Sequence, residues 1–394
     1  MLRAGSTMRR LGIEASGSSP RLLRFYGPPE GDEMTTTMVS TGKSQRLYRG
    51  PEPLYAPRAN PVSIGFVSTY PPTKCGLATF TASLAEALGG SASTGIVRCV
   101  TEPGVTPYPP GVVAEWIRNS PGSLNAAARV LNTFDSVIVQ HEFGVFGGQD
   151  GADILDLVAL LDVPVIVVLH TVLPHPSPHQ REIVEQLARS AHRIVAQSVV
   201  ARDRLLEAHD VDPAQVVVIQ HGATANIAPR AVPADPNRRP VILTWGLLGP
   251  GKGIEFAIDA VAQLRDLDPQ PRYRVVGETH PNIVRESGEA YRESLVARAQ
   301  ALGIDELVDF DNGYRDTAAV LAEVRQADIV LLPYLSREQV VSGVLVEAIA
   351  SAKPVVSTAF PHAVELLGEG SGIVVPHEDP DAMARALRLS LIHI

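Results

Sequence analysis

Cysteine is nearly absent. Cys75 and Cys99 are the two in 394 residues, too few for a disulfide framework and without metal-ligand spacing. A reducing cytosol is the simplest compartment for such a chain. Long apolar runs are missing too: no stretch of about 18 apolar residues occurs, so nothing reads as a membrane-spanning helix. The longest run, 163–169, suits a buried strand instead. Arg9 and Arg10 have no apolar segment behind them, which excludes a secretory signal. Positive charge is also short. A net charge of −9 argues against nucleic acid as the main partner. It does not exclude local basic patches, and Arg202-Asp203-Arg204 offers either peripheral membrane contact or an ordinary solvated helix face.

What is present is a soluble globular composition, 45% apolar and 20% charged, over a length that suggests two or three domains. Residues 1–60 are rich in Gly, Ser, Pro, Thr and Arg and lack periodicity, so they read as a disordered extension, with Met34 and Met38 as alternative translation starts. From Pro61 the pattern alternates. Strands are expected at 62–68, 96–100, 136–140, 163–169, 193–196 and 215–219, with helices at 77–88, 123–132, 150–161 and 178–190. Apolar strands alternating with amphipathic helices imply a parallel sheet covered on both faces. Residues 61–222 form one such domain.

A Pro- and Arg-rich segment, 223–240, breaks the rhythm and reads as a linker. The alternation restarts in 241–394, with strands at 241–245, 273–276, 307–310, 329–333, 354–358 and 372–375. Helices fall at 254–265, 291–302, 318–326 and 344–351. The fold class is therefore α/β: two consecutive doubly wound, Rossmann-like domains facing a central cleft. Dehydrogenases and periplasmic binding proteins share that plan, so the fold leaves the chemistry open. Ligands in open parallel sheets sit beyond the carboxyl ends of strands, and the loops there hold the candidates.

The strongest is Gln339-Val340-Val341-Ser342-Gly343-Val344-Leu345-Val346-Glu347, ahead of Lys353-Pro354-Val355-Val356. It reads as a Gly-containing loop opening a helix. Free amides at a helix start form a seat for an anion, and Glu347 can accept hydroxyl hydrogen bonds. In Trp245-Gly246-Leu247-Leu248-Gly249-Pro250-Gly251-Lys252-Gly253, Lys252 lies among glycines at a strand-to-helix turn, suited to phosphate. No Ser or Thr follows it, so this is not a Walker A sequence. Cys75-Gly76 opens the first helix, and there Gly76 admits a ligand close to the backbone. Cys75 is either a reactive thiol or a small side chain in glycine-like space. His141-Glu142 and His170 end strands on the cleft side. The second His of a His-Glu-x-x-His metal site is missing, since Gly144 and Val145 follow. Gly277 follows another strand, and Tyr314 in Gly313-Tyr314-Arg315 either stacks on a base or packs.

These segments together resemble the retaining, GT-B-fold glycosyltransferases of family 4. Two Glu residues separated by seven others mark the donor site there. Glu347 matches the second, while Gln339, preceded by Glu338, stands at the first, a version similar to a mannosyltransferase-like branch. The resemblance spans about 61–387 and implies a mannosyl- or glucosyltransferase. It implies a GDP- or UDP-sugar donor, a carbohydrate or lipid-linked acceptor, and no metal. Site roles follow the same resemblance. Lys252 and the amides of Gly343 and Val344 would stabilise the departing diphosphate, Glu347 would hold the ribose, and Gln339 and His170 the sugar hydroxyls. Ser342, Gly76, Gly246, Gly277 and Tyr314 would line the donor, with His141 and Glu142 on the acceptor side. The family pairs its Lys with an Arg, and Leu247 occupies that position.

Two other readings stay open: a nucleotide-sugar epimerase or hydrolase, which acts on donor alone, and a non-catalytic sugar-nucleotide binding protein, which Leu247 and, more weakly, Gln339 favour. A dehydrogenase is disfavoured, because neither first strand is followed by Gly-x-Gly-x-x-Gly. The last residues, 388–394, show no capping or strand logic. A closing helix onto the first domain is expected in this fold, and its apparent lack suggests a truncated C-terminus.

Overall fold

The computed structural model describes residues 61–104, 107–227 and 238–393. The N-terminal extension expected over 1–60 and the middle of the expected linker lie outside the described residues. The first half carries strands β1 (Val62–Ser68), β2 (Ala92–Val100), β3 (Val112–Ile117), β4 (Ser136–His141), β5 (Val165–Leu169), β6 (Arg193–Ala196) and β7 (Val216–Val218). Its helices are α1 (Gly76–Leu88), α2 (Pro121–Leu131), α3 (Asp153–Ala159), α4 (Pro178–Ser190) and α5 (Val199–Ala208). All strands pair in parallel, in the order β3-β2-β1-β4-β5-β6-β7. Val67, Val97, Val139 and Val167 face Leu131, Leu157 and Leu187 of the covering helices, all essentially inaccessible. Each such leucine contributes about 1.5–3 kcal/mol of burial.

The second half repeats the plan with β8 (Val241–Trp245), α6 (Ile254–Ala262), β9 (Arg272–Val276), α7 (Pro281–Ser287), α8 (Ala290–Ala301), β10 (Val308–Asp311) and α9 (Thr317–Gln326). It closes with β11 (Ile329–Leu332), α10 (Gly343–Ala350), β12 (Val355–Thr358), α11 (Pro361–Leu367), β13 (Ile373–Val375) and α12 (Pro380–Ile392). Its parallel sheet runs β10-β9-β8-β11-β12-β13. In both halves the strand order reverses beside the first strand, between β1 and β4 and between β8 and β11. Crevices form at such reversals.

Four elements depart from the sequence reading. Strand β3 was not anticipated, because Glu115 interrupts its apolar pattern. Glu115 is buried, paired with Arg98 and bonded by the Gly104 amide at 2.7 Å, so its charge is compensated inside. The short helices α7 and α11, each opened by a proline, were also unread. Residues 388–392, expected to lack regular structure, continue α12. Leu387 is buried, Leu391 packs beside it, and Arg388 pairs with Asp266 at 2.8 Å.

The halves touch at several points. Lys74 pairs with Glu278 at 2.9 Å, though both are too exposed for much stabilisation. Ser198 Oγ donates to the Val340 carbonyl at 2.7 Å, and Arg204 donates to the Glu338 carbonyl at 2.6 Å. Glu365 on α11 accepts from the Val199 and Val200 amides at 2.9 and 2.8 Å, placing a carboxylate on the start of α5.

Candidate active site

The start of α10 is shaped by three side chains. Ser342 caps it, its Oγ accepting from the Leu345 amide at 3.3 Å. The Ser342 amide donates to His362 Nδ1 at 2.9 Å, which requires that nitrogen to be unprotonated. Burial holds His362 near a pKa of about 4, in keeping with that neutral state. The next two amides, Gly343 and Val344, occupy the first helical positions, where the helix supplies no acceptor. Opposite Gly343 lies His221, whose Cε1 and Nε2 are 3.1 and 3.2 Å from where a Cβ on Gly343 would stand. A larger residue there would press on the His221 ring.

Glu347 lies in the second turn of α10, largely buried, and accepts a hydrogen bond from the Trp245 side chain. Burial raises its pKa, and that bond lowers it in part. Trp245 ends β8, and Gly246 follows with φ +123° and open space where a side chain would be. Gly277 ends β9 with φ +134°, and a Cβ there would overlap the Gly246 carbonyl. The two strand exits thus meet backbone to backbone.

Beside them is a cavity of about 490 Å³ lined by Leu247, Lys252, His280, Asn282, Tyr334 and Gln339. Lys252 Nζ stands 4.2 Å above the Tyr334 ring, a cation–π contact. Gln339 donates its side-chain amide to the Val341 carbonyl at 2.9 Å, and its own carbonyl accepts from the His362 amide at 3.3 Å. Gln339 therefore links this cavity to the start of α10.

From the first half, His170 reaches the cleft between two buried glutamines. Its Nε2 bonds Gln140 Oε1 at 2.7 Å, and its Nδ1 bonds Gln197 Nε2 at 3.0 Å. Burial, followed by His221 and His141, lowers its pKa to about 3, so it is neutral. With both ring nitrogens engaged, a ligand hydroxyl must exchange one of these bonds to reach it. Phe80 packs on His170 at 4.9 Å and on His221 at 4.7 Å between ring centres.

One candidate is placed differently from the sequence reading, and others fall around it. His141 does not face the cleft: it is fully buried between Phe143 and Phe146, with neither ring nitrogen hydrogen-bonded. Burial lowers its pKa to about 4. Glu142 is held by Thr171 Oγ1 at 2.5 Å and the Phe143 amide at 3.1 Å, its pKa raised by burial. Gly76 has open space at its Cβ position, at the first turn of α1. Cys75 is the N-cap of that helix, its Sγ accepting from the Ala78 amide. Tyr314 is 43% exposed, with Lys74 Nζ 5.1 Å above its ring. It lines a separate cavity of about 620 Å³ with Pro72, Lys74, Glu86 and Thr317. The sequence reading assigns no role to Trp245, His362, His221, Gln140 or Gln197. Gln140, Gln197 and Trp245 all lie at strand ends, the one sign in the sequence that pointed to them.

Among the described residues, no group of three or more His, Cys, Asp or Glu side chains is placed to hold a metal. No helix there is long and apolar enough to cross a membrane.

Two doubly wound parallel-sheet halves that meet along one edge are the GT-B architecture. The comparisons specify it further. Residues 76–226 match the model described as Glycosyltransferase Family 4, and residues 228–392 match that described as Glycosyl transferases group 1. The chain carries the paired domains of these glycosyltransferase enzymes. It is 30% identical over 303 residues to the D-inositol 3-phosphate glycosyltransferase of Kineococcus radiotolerans, covering 68% of this chain and 66% of that protein. The enzyme of the same name from Corynebacterium glutamicum is 28% identical over 291 residues, with the same coverage. The chain thus spans just under two thirds of these relatives, and 49% of the Streptomyces bingchenggensis enzyme, to which it is 31% identical. In fold it is similar to Anabaena HepE, solved with UDP and glucose, at a TM-score of 0.65 and 18% identity. That match covers 84% of this chain and 90% of HepE.

Proposed function

We propose that this chain transfers a hexose, glucose or mannose, from a UDP- or GDP-linked donor to a hydroxyl acceptor, with retention of anomeric configuration. The observation that carries this reading is the start of α10. Its Gly343 and Val344 amides are open, and Glu347 lies in the second turn beside the Trp245 side chain. The diphosphate would take those amides, with Lys252 turned from Tyr334 to meet it, and stabilise the charge of the leaving group. Glu347 would accept from the ribose hydroxyls. Gln339 and His170 would orient the sugar, and the acceptor would enter along the first half past Glu142. Attack from the face the diphosphate leaves gives retention without a covalent nucleophile, and closure of the halves excludes water.

The names of the relatives favour a phosphorylated cyclitol as acceptor, and HepE's bound UDP and glucose favour UDP-glucose as donor. A lipid-linked acceptor would place the enzyme at the inner membrane face from the cytosol. Transfer needs no metal in this reading, since Lys252 and the helix start supply the positive field.

The test incubates UDP-glucose or GDP-mannose with inositol 3-phosphate in EDTA, following nucleoside diphosphate release and the anomeric configuration of the product. Acceptor-dependent release that survives EDTA, with a retained anomer, is expected. Release without acceptor would mark a hydrolase, conversion of the donor sugar an epimerase, and dependence on added Mg²⁺ a missed metal. Thermal shifts with both donors serve as a binding check. A ligand at 100-fold its Kd adds about 2.7 kcal/mol, and no shift with any nucleotide sugar would sink the reading.

A further inference from the structure

We infer that His221, on the segment leaving the first half, is a ligand of the donor diphosphate. This rests on the donor site proposed above and adds to it a residue from the opposite side of the cleft.

The geometry is specific. His221 Nδ1 bonds its neighbour's carbonyl, Gly222 O, at 2.8 Å, and a carbonyl accepts only, so Nδ1 carries the proton. Nε2 is left as the nitrogen that stands 3.2 Å from the Cβ position of Gly343, the first residue of α10. Nε2 has no hydrogen-bond partner among the described residues. Phe80 backs the ring at 4.7 Å and holds it toward the second half. Of the two positions expected to clamp the diphosphate, Leu247 is apolar, and Lys252 lies on Tyr334.

A phosphate oxygen seated on the Gly343 amide would come within reach of Nε2. With Nδ1–H committed to Gly222, Nε2 can donate only after taking a proton from solvent, and His221 becomes an imidazolium between carbonyl and phosphate. Donor binding is then linked to uptake of one proton. The titratable groups around the ring are His170 at the end of β5 and His362 on α11, both of which interact with it electrostatically. Glu347 is the titratable residue of α10 and Glu86 that of α1. Burial lowers the pKa of unliganded His221, so it enters binding neutral.

The experiment is calorimetry of UDP-glucose and GDP-mannose binding across neutral pH, each in two buffers of different ionisation heat. These donors are esterified at both ends of the diphosphate and lack the phosphate monoester ionisation near pH ~6, so the proton counted is the protein's. Parent affinity is expected to fall with rising pH, by up to about tenfold per unit between the free and bound pKa values. His221→Gln, an uncharged donor, is expected to bind about tenfold or more weakly below neutral pH and to lose the pH slope. His221→Ala is the second variant, and melting temperatures of both control for folding. Absence of proton uptake by the parent overturns the assignment. So does uptake that persists in His221→Gln, which would move the proton to His170 or His362. A parent that binds neither donor overturns the donor site itself.

Discussion

Glu347 brings a carboxylate into a largely buried position with one side-chain bond, from Trp245, to offset the loss of water. Glu347→Gln keeps an acceptor for the indole and removes the charge. Donor binding should weaken by about 1–3 kcal/mol, as for hydrogen bonds to a charged group. The melting temperature should hold or rise, because the desolvated charge is gone. Calorimetry and thermal melts on the same variant check both, and a variant that melts early while binding donor normally would reduce Glu347 to a structural residue. His141 gives the opposite case, a candidate that the structure withdraws from the cleft. Its folded pKa of about 4 lies below the ordinary 6.5, so the unfolded chain takes up the proton first. Stability is therefore full above about pH 7 and declines as pH falls from about 6.5 to about 4, by up to about 1.4 kcal/mol per unit. His141→Phe removes two unpartnered nitrogens from an aromatic pocket and should flatten that decline while sparing transfer. A tenfold loss of transfer in a variant of parental stability would return His141 to the active site.

At the scale of elements, much was legible because the periodicity is strong. β1 and β6 fall on their expected residues, and α4 matches at both ends, with Ser177 and Gln180 forming a capping box. β3 was hidden because a buried ion pair imitates a polar loop, and α7 and α11 because a single turn or two leaves no period to read. In the site, Gly343, Glu347 and Lys252 could be found from local loop-to-helix chemistry. Their partners could not: Trp245 and Glu347 are on different elements, as are Ser342 and His362, and nothing local records that they meet. The exits of β8 and β9 show how tightly such meetings are built. Gly277→Ala must force a Cβ against the Gly246 carbonyl at φ +134° and should cost about 3 kcal/mol or more. Gly246→Ala, with open space at its Cβ position, should cost about 1 kcal/mol. Urea midpoints at unchanged slope measure both, and equal costs would contradict the close approach.

At the scale of the whole molecule, the two halves are linked partly through α5. Glu365 bonds the Val199 and Val200 amides across the cleft, an arrangement worth about 0.5–2 kcal/mol when a side chain caps a helix. Glu365→Ala should speed hydrogen exchange at those two amides by about 2- to 30-fold and raise the radius of gyration in small-angle scattering. Unchanged exchange and shape would show that the arrangement of the halves does not depend on this contact.

The bonds from Ser198 and Arg204 to the carbonyls of Val340 and Glu338 bear on how such enzymes can be recombined. Residues 338–342 belong by chain to one half, yet part of their backbone is anchored by the other. A hybrid that joins this first half to a relative's second half keeps both anchors, since they need only main-chain oxygens. The reverse hybrid inherits whatever the donor parent carries at positions 198 and 204, and grafting Ser and Arg there is the minimal repair that would restore its fit.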